Sequence, residues 1–488
     1  MAANPEAASP ASVGNGAVRF AGVSAALLIP LFWHRRIEAG DVASHLYNAW
    51  LVQLIQQGKA PGLWIARQWN NVLFDWLLSW FGSAFGLYAA ERIAVSLAVL
   101  TFFWGSFALI SAATRRQPWT LAPLLAVVAY GWTFEMGFMN YYISLGLCFF
   151  VLAAFWRGGN VLRLISIALL PLIWLAHPLG VVCLAGITAY ALLARAVPVG
   201  YRRYLLLAAG IFLLIVRVEL ARHYEVKYSA LARYLFYNGA DQFVLFSWSY
   251  AWLYVCFGIV CLVVLGDDAG QGRWRALGFW ELRAVPLQLY AVALVASVVL
   301  PLIIYLPQYN DPLSYLNPRI TSVSAVLLCW ALAAAKPKRW HAAAYAAIAV
   351  VFFAFLYADT GKLNGMEEQV ERLAAALPPG HRVVEDIDSG QEFRVVFEHI
   401  VDRACIGRCF SYSNYEPSTG QFRVRANAGN SIVTADTPDD LDDESEAALV
   451  KALDPPVYEI VWCDQASTKF CMRELSADEL KDLVEGNF

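Results

Sequence analysis

The sequence predicts an α-helical polytopic membrane protein of about eleven transmembrane helices, followed by a small water-soluble α/β domain. Hydrophobic residues make up 59% of the 488 residues and charged residues only 15%, whereas a soluble domain carries about a quarter charged residues. Apolar runs long enough to cross a bilayer recur along residues 17–358. Residues 359–488 are instead polar, which indicates that the two parts occupy different environments.

The two parts also differ in net charge, which is positive before residue 359 and negative from there onward. Residues 1–358 hold 24 basic and 13 acidic residues, a net charge of +11, and residues 359–488 hold 12 and 26, a net charge of −14. Residues 1–16 are polar and lack the basic start of a signal peptide, so we expect a disordered leader. The predicted domains are this leader, a transmembrane body (17–358) and a C-terminal domain (359–488, the tail).

Eleven membrane spans are predicted from the apolar runs. They lie near residues 17–34, 85–112, 118–134, 140–156, 162–177, 179–195, 203–218, 245–265, 284–306, 319–335 and 341–358. The loop after each even-numbered span is basic: Arg115 and Arg116, Arg157 and Arg163, Arg195, Arg202 and Arg203, Arg273, Arg275 and Arg283, and Lys336, Lys338 and Arg339. Because basic loops remain in the cytoplasm, the N-terminus is predicted inside and the tail outside.

Cysteine usage agrees with an exported tail. Five of the nine cysteines lie in predicted spans, and the tail holds Cys405, Cys409, Cys463 and Cys471. An even number of cysteines in an exported domain predicts two disulfides. Three pairings are open, and Cys405–Cys409 with Cys463–Cys471 is favoured because each pair is local. A zinc site is the weaker alternative, since CxxxC is a loose ligand spacing.

Polar residues concentrate on the predicted outer face, where a functional cavity is therefore expected. The loop between spans one and two (the first loop, residues 35–84) holds Glu38, Asp41 and His45. Later outer segments hold Asn140, Tyr141, His177, Arg217, Arg222, Lys227, Arg233, Tyr309, Asp311 and Arg319.

The first loop carries two further signals. From Val42 onward, apolar residues recur with helical spacing until Gly58, Pro61 and Gly62 end the pattern. The helix is too short and polar to span, so we expect it to lie along the membrane interface, with a second such stretch at 71–81. Asp41 therefore stands where span one leaves the membrane, at the entrance to two interfacial helices.

This arrangement resembles the GT-C superfamily of integral-membrane glycosyltransferases. The matching stretches are GDVASHLYNAWLVQLIQQGKAPG at 40–62, GFMNYYISLGLCFFVLAAF at 137–155, WLAHPLG at 174–180 and NPRITSVSAVLLCWALA at 317–333. Family members place an acidic residue after span one, followed by two juxtamembrane helices, and many end in a soluble outer domain. Adjacent acidic pairs are common in their loops, but here Glu38 and Asp41 stand three apart, which leaves metal dependence and the acceptor open.

The resemblance implies a polyprenyl-phosphate sugar donor and an envelope glycan, lipid or protein acceptor. Asp41 would be the general base, with Glu38 and His45 beside it. The departing phosphate needs cationic stabilisation, for which Arg319 is best placed and Arg217, Arg222, Lys227 and Arg233 are further candidates. Asn140, Tyr141, His177, Tyr309 and Asp311 would line the cavity. No cofactor is predicted with certainty, a divalent cation remains open, and no nucleic-acid partner is expected.

Simpler structural roles compete with these assignments. Asp41 could only cap the following helix, His177 could only pack at a turn, and Arg319 could anchor its helix at the interface. In the tail, Met366–Leu377 and Ser476–Val484 are predicted as helices, and Arg382–Ile387, Phe422–Ala426, Ser431–Ala435 and Val457–Cys463 as strands. The acidic run at 436–446 is expected to be solvated, with calcium binding the alternative. Acceptor recognition or partner docking is predicted for the tail.

Two other functions are weighed against a glycosyltransferase. One is a lipid or solute transporter, against which stand the lack of a clear internal repeat and the scarcity of mid-span charge. The other is a non-catalytic structural subunit of an envelope complex. The predicted location is the bacterial inner membrane, among whose lipids the body is embedded.

Overall fold

The computed structural model describes residues 10–270, 284–309, 312–335, 337–387, 399–412, 414–427, 430–433, 456–463, 469–476 and 478–480. Helix α1 (Pro10–Leu28) begins within the predicted leader and passes into a short 3₁₀ helix, Ile29–Leu31. Pro30 lies in this 3₁₀ helix, and proline cannot continue an α-helix because it lacks an amide donor.

The first loop contains the two predicted short helices. Helix α2 (Val42–Gln56) begins directly after Asp41 and ends before Gly58, as the apolar spacing predicts. A short strand, β1 (Leu63–Ile65), then leads to helix α3 (Leu73–Phe85). Both positions agree with the sequence prediction.

The rest of the body is almost entirely helical. Its helices are α4 (Leu87–Thr114), α5 (Ala122–Ala129), α6 (Trp132–Glu135), α7 (Met139–Arg157), α8 (Asn160–Ile167), α9 (Leu170–Ala176), α10 (Pro178–Ala196), α11 (Arg202–His223), α12 (Ala230–Arg233), α13 (Ser249–Gly270), α14 (Val285–Val299), α15 (Leu316–Ala334) and α16 (Arg339–Ala376). Two short strands, β2 (Val226–Lys227) and β3 (Ile303–Ile304), pair antiparallel.

Seven of the described helices are long and apolar enough to cross a membrane, namely α4, α7, α10, α11, α13, α15 and α16. Shorter apolar helices occupy three other predicted spans, at Gly16–Leu31, Asn160–Ala176 and Val285–Val299. The predicted span at 118–134 is divided among a 3₁₀ turn, α5 and α6. The protein is thus mostly helical with seven candidate membrane-spanning helices, and eleven spans remain a prediction.

Close backbone contact joins the central helices α4 and α7. A Cβ on Gly146 would lie 2.6 Å from the carbonyl carbon of Thr101, so a larger residue there would push the helices apart. Phe102 and Tyr142 stack beside this contact with ring centroids 4.2 Å apart. Because α7 begins at Met139, its packing against α4 also positions the segment that precedes Met139.

The tail continues from the body without a break. Helix α16 is 38 residues long and includes both the last predicted span and the predicted tail helix, so the domain boundary at 358 lies within it. The sequence between the two segments contains no proline to end a helix. Beyond α16 lie β4 (Arg382–Asp386), α17 (Ile400–Cys405), β5 (Phe410–Ser411), α18 (Glu416–Thr419), β6 (Val424–Ala426), β7 (Val457–Trp462) and β8 (Phe470–Glu474).

Four of these strands form one sheet in the order β5-β4-β7-β8, with β8 antiparallel and the other pairs parallel. The strands predicted at 382–387 and 457–463 are therefore confirmed, and β8 was not predicted. The predicted strand at 431–435 differs, because residues 431–433 are bends and the rest lie outside the described residues. Of the predicted helix 476–484, only 478–480 are described as helical, and the acidic run at 436–446 lies outside the described residues.

The tail is built onto the first loop. Strand β6 pairs antiparallel with β1, placing Leu63 opposite Ala426. Tyr47, Leu51 and Val52 of α2 share one buried apolar cluster with tail residues such as Val401. Burying apolar surface across this junction stabilises it by about 25 cal/mol per Å². The first loop and the tail therefore form one structural unit, which the sequence did not predict.

Both favoured cysteine pairs are at disulfide distance. Cys405 and Cys409 have a Cα–Cα distance of 4.6 Å, and Cys463 and Cys471 one of 4.9 Å. The first bridge joins the end of α17 to the segment before β5, and the second links β7 to β8. The structure thus agrees with the local pairing and gives no support to the zinc alternative.

Candidate functional site

A cavity of about 550 Å³ lies where the first loop, the body and the tail meet (the junction cavity). Seven predicted site residues line it: Asp41, His45, Asn140, Tyr141, His177, Tyr309 and Arg319. The tail contributes His399, Tyr415, Gln421 and Phe422. Predicted residues up to 278 positions apart in the sequence are thus brought to one cavity, together with tail residues that the sequence had not assigned.

Two glycines place Asp41 at this cavity. Gly40 and Gly137 both have positive φ, at +31° and +77°, which glycine adopts without steric cost. A Cβ on Gly137 would lie 2.5 Å from the amide nitrogen of Asp41, and one on Gly40 would lie 2.6 Å from the carbonyl oxygen of Met136. The segment before α2 therefore lies directly against the segment before α7.

The Asp41 carboxylate points into the cavity instead of capping α2. Asp41 occupies the N-cap position, but its side chain makes no capping hydrogen bond. Its Oδ1 atom lies 3.7 Å from Nε2 of His399, and the side chain is 21% exposed. The capping alternative therefore does not account for Asp41, and a small molecule in the cavity can reach its carboxylate.

His399 of the tail faces Asp41. Its backbone is left-handed, with φ +69°, which is uncommon for a residue with a side chain. Its Nδ1 atom lies 3.5 Å from Oδ2 of Asp402, and its ring stacks on Tyr415 with centroids 5.1 Å apart. The imidazole thus lies between two carboxylates, one from the tail and one from the first loop.

Arg319 supplies a cation to the same cavity from the first turn of α15. Its guanidinium lies 4.2 Å from the centroid of the Phe138 ring. Its Nε atom is shielded from solvent and has no hydrogen-bond partner among the described residues. The Tyr141 hydroxyl donates to the Arg319 carbonyl oxygen at 2.7 Å, which ties this turn to α7. Arg319 therefore offers an unused donor to an anion.

His177 and Tyr141 form the wall next to Arg319. Their rings meet edge to face with centroids 5.4 Å apart. The His177 Nδ1 atom accepts a hydrogen bond from the amide of Leu179 and so caps α10. The structure thus supports the expected role of His177 at a turn while also placing it on the cavity wall.

A second ionic cluster borders the cavity. The His45 Nδ1–H donates to Oδ1 of Asp75 at 2.8 Å and lies 3.3 Å from Oε1 of Glu416. The Asn140 amide donates to Oδ2 of Asp75, and the Ser44 hydroxyl donates to Oε1 of Glu416. Helices α2, α3 and α18 are thereby joined through charged side chains.

The pKa values of the three titratable groups in this cluster are shifted in different directions. Burial disfavours a charged His45, but the carboxylates of Asp75 and Glu416 outweigh it and raise the pKa of His45 to about 10. Burial raises the pKa of Glu416 to about 8 despite the opposing effect of His45. The pKa of Asp75 is lowered, because the charged His45 outweighs burial there. At neutral pH, a protonated His45 paired with an ionised Asp75 is therefore favoured.

These three side chains are also the described group best able to hold a divalent cation. Their ligand atoms all lie within 4.8 Å of one another. Zinc ligands at 2.0–2.2 Å from one ion lie about 3–3.5 Å apart, and the His45 Nδ1 atom lies 2.8 Å from Oδ1 of Asp75 and 3.3 Å from Oε1 of Glu416. Asn140 and Ser44 donate hydrogen bonds to the two carboxylates and would hold them in orientation toward such an ion. The cluster fits such an ion, although the His45–Asp75 ion pair accounts for the same geometry without one.

Glu38 lies outside the cavity, although the sequence placed it beside Asp41. It is half-buried, and its Oε1 atom is shielded from solvent beside an ionic network of Arg36, Arg403 and Glu367. Arg36 also pairs with Glu371 at 2.5 Å, and Arg403 with Glu91 at 2.8 Å. These contacts join the segment before α2 to α4, α16 and α17, so Glu38 belongs to the tail attachment.

Burial raises the pKa of Glu38 well above its ordinary value, and the nearby Glu367 carboxylate reinforces this against Arg403 and Arg36. A carboxyl group whose pKa is higher in the folded state stabilises the fold at low pH, where it is protonated. This stabilisation is complete below the unfolded pKa of 4.5 and is lost as the pH rises through the higher pKa of the folded state.

Glu38→Gln should therefore flatten the pH dependence of thermal stability, because glutamine cannot ionise. We expect the variant to melt at a higher temperature than the wild type at pH 8, with little difference near pH 4. Melting of the detergent-solubilised protein across this range measures it. A variant less stable than the wild type at pH 8 would show that an ionised Glu38 supports the network.

The remaining predicted cations are not at the cavity. Arg217 donates to the Val299 carbonyl oxygen and lies 3.8 Å from the Tyr228 ring centroid. Arg222 pairs with Glu219 at 3.0 Å on an exposed surface. Lys227 lies 4.9 Å from the Tyr305 ring centroid, Arg233 ends the short helix α12, and Asp311 lies outside the described residues. Among the five predicted phosphate-binding cations, only Arg319 lines the cavity.

No family model, curated protein or solved structure matches the chain. The class of the protein therefore rests on its helices, and its function on the chemistry of the junction cavity.

Proposed function

We propose that this protein is an integral-membrane glycosyltransferase of GT-C-like architecture. It would transfer a sugar from a polyprenyl-phosphate donor to an envelope acceptor on the outer face of the bacterial inner membrane. The observation that carries this proposal is the placement of Asp41 and Arg319 at one cavity. Glycosyl transfer from a phosphate needs a base for the acceptor hydroxyl and a cation for the departing phosphate. The Asp41 carboxylate and the Arg319 guanidinium can supply these two groups.

In the proposed reaction, Asp41 accepts the proton of the acceptor hydroxyl. The acceptor oxygen then forms a bond to the anomeric carbon, and the bond from that carbon to the phosphate oxygen breaks. The electron pair leaves with the polyprenyl phosphate, whose added negative charge faces Arg319. Because the Nε atom of Arg319 is shielded from solvent, its interaction with this charge is stronger than in open water.

His399 would support Asp41 during this step. Its Nε2 atom lies 3.7 Å from the Asp41 carboxylate, so it can hold that carboxylate in place or relay its proton to solvent. The proposal therefore assigns the tail a part in building the site, in addition to the acceptor recognition expected from the sequence.

The donor chain would lie along the membrane beside the first loop. Helix α3 exposes Trp80 and Phe85, and Trp69 is exposed just before it. Exposed tryptophans are typical of the membrane interface. We propose that these residues mark the outer interface, with eleven spans, a cytoplasmic N-terminus and an extracytoplasmic tail.

Arg319→Gln should lower the efficiency of transfer by about 10²–10³-fold, the usual cost of removing one stabilising donor. The matched control is Arg222→Gln, because Arg222 was also a candidate by sequence but pairs with Glu219 away from the cavity. Transfer kinetics and photo-crosslinking to a polyprenyl-phosphate sugar analogue measure both variants. Equal losses in the two variants would show that Arg319 has no specific role.

A further inference from the structure

A second charged cavity lies at the other end of the helices that frame the junction cavity. Helices α7 and α10 begin at Met139 and Pro178, which line the junction cavity, and they end near Arg157 and Arg195. Helix α4 begins near Glu91, which pairs with Arg403 of the tail, and ends at Arg115. A helix of 19 residues extends about 28 Å, so the two ends are about one bilayer core apart.

The three arginines at these helix ends line one cavity of about 320 Å³ (the arginine cavity). The small side chains Ala112, Ala113 and Ala191 also line it, together with Val285. Trp156 completes the lining, and the guanidinium of Arg195 lies 4.6 Å from its ring centroid. Three cations therefore share one cavity whose other lining residues are uncharged.

The arginines have no counter-charge in the part of the chain that the structure describes. No carboxylate lies within ion-pair distance of Arg115, Arg157 or Arg195 there, although nine of the described ion pairs involve other arginines. Three like charges around one cavity raise the local positive potential, which favours the binding of an anion there.

Two ordinary explanations cover part of this pattern. Basic residues at helix C-termini complement the helix dipole, and basic loops remain cytoplasmic. Neither explanation requires three arginines from three loops to share one cavity. Each of these loops also holds an arginine that does not line the cavity, namely Arg116, Arg163 and Arg203.

We propose that the arginine cavity binds the phosphate of an anionic lipid headgroup from the membrane leaflet at this end of the protein. Guanidinium groups bind phosphate oxygens in pairs of parallel hydrogen bonds, and basic pockets between membrane helices recognise such headgroups. Exposed apolar side chains flank the arginines, including Phe155 beside Arg157 and Leu192 and Leu193 before Arg195. They provide the surface along which the acyl chains of a lipid would lie, which a free phosphate ion does not need.

The test compares two triple variants with the same change of charge in the same three loops. One carries Arg115→Gln, Arg157→Gln and Arg195→Gln. The other carries Arg116→Gln, Arg163→Gln and Arg203→Gln. Both variants remove three positive charges, so general electrostatic attraction to an anionic headgroup would weaken by the same factor in the two. Native mass spectrometry of the full-length protein in detergent, titrated with phosphatidylglycerol or phosphatidylcholine, measures the bound lipid.

The wild type should bind phosphatidylglycerol in preference to phosphatidylcholine, and the cavity variant should lose at least about tenfold of that affinity. The matched variant should remain within about twofold of the wild type. Equal losses in both variants, or no preference in the wild type, would overturn the proposal. Inorganic phosphate that displaces the lipid at equal concentration would also overturn it, because the site would then recognise an ion.

A third variant tests the proposal if the protein with all three cavity arginines changed to glutamine does not fold. This variant carries Arg115→Lys, Arg157→Lys and Arg195→Lys, which keep the positive charge of the loops but cannot form the paired hydrogen bonds of a guanidinium. We expect this variant to insert normally and to bind phosphatidylglycerol more weakly than the wild type. Unchanged binding would show that charge alone, without the arginine geometry, accounts for the lipid.

Discussion

Asp41→Asn should lower sugar transfer by at least about 10²-fold, the lower end of the usual loss when a general base is removed. Asparagine keeps the size of aspartate, and the Asp41 side chain makes no capping hydrogen bond to lose, so α2 should fold normally. The amide cannot accept the proton of the acceptor hydroxyl. Because Arg319 is unchanged, photo-crosslinking to the donor analogue should stay close to the wild-type level.

The matched control for Asp41 is Glu38→Gln, a carboxylate-to-amide change three residues earlier in the first loop. Glu38 is half-buried beside the network around Arg403 and does not line the junction cavity. We expect Glu38→Gln to retain transfer while altering the pH dependence of stability. Loss of transfer in Glu38→Gln, with wild-type turnover in Asp41→Asn, would exchange the roles that we assign to the two carboxylates.

Arg403→Met should destabilise the attachment of the tail by about 3–5 kcal/mol, the usual cost of removing one partner from a buried ion pair. Arg403 is buried and pairs with Glu91 of α4 and Glu367 of α16. Its guanidinium also donates to the Ile37 carbonyl oxygen at 2.9 Å. Methionine fills a similar volume but leaves these buried carboxylates without their cation.

Thermal melting and limited proteolysis of the tail measure this effect. The matched control is Arg408→Met, because Arg408 is exposed and its hydrogen bond goes to a backbone carbonyl of α16. The control should stay within about 0.5 kcal/mol of the wild type, as exposed substitutions usually do. A tail that is equally protected in Arg403→Met would show that the shared apolar cluster with α2 alone holds it.

The short helices of the first loop could be predicted from sequence because their signals are local. The helical spacing of apolar residues from Val42 predicts the start of α2, and the helix-breaking residues between Gly58 and Gly62 predict its end. Neither signal depends on the rest of the chain. Asp41 and Arg319 could be placed on one face because alternating basic loops set the ends of the spans. Both inferences depend on residues near one another in sequence or on the direction of each helix.

The contribution of the tail could not be predicted in this way. His399 and Glu416 meet Asp41 and His45 across more than 350 residues, through a strand pair and a buried cluster that leave no local pattern. Glu38 was misplaced for the same reason, because its partners on α16 and α17 are equally distant. The left-handed backbone of His399 has no signal in sequence, since glycine and asparagine are the usual residues at such positions.

Sugar transfer by the purified wild-type protein is the measurement that tests the proposed function most directly. The full-length protein in lipid nanodiscs would be incubated with labelled polyprenyl-phosphate sugars and extracted envelope acceptors. We predict labelled acceptor with at least one donor, and loss of that product in Asp41→Asn. No product with any donor, together with breakdown of an envelope complex when the protein is deleted, would contradict the enzyme and favour a structural subunit.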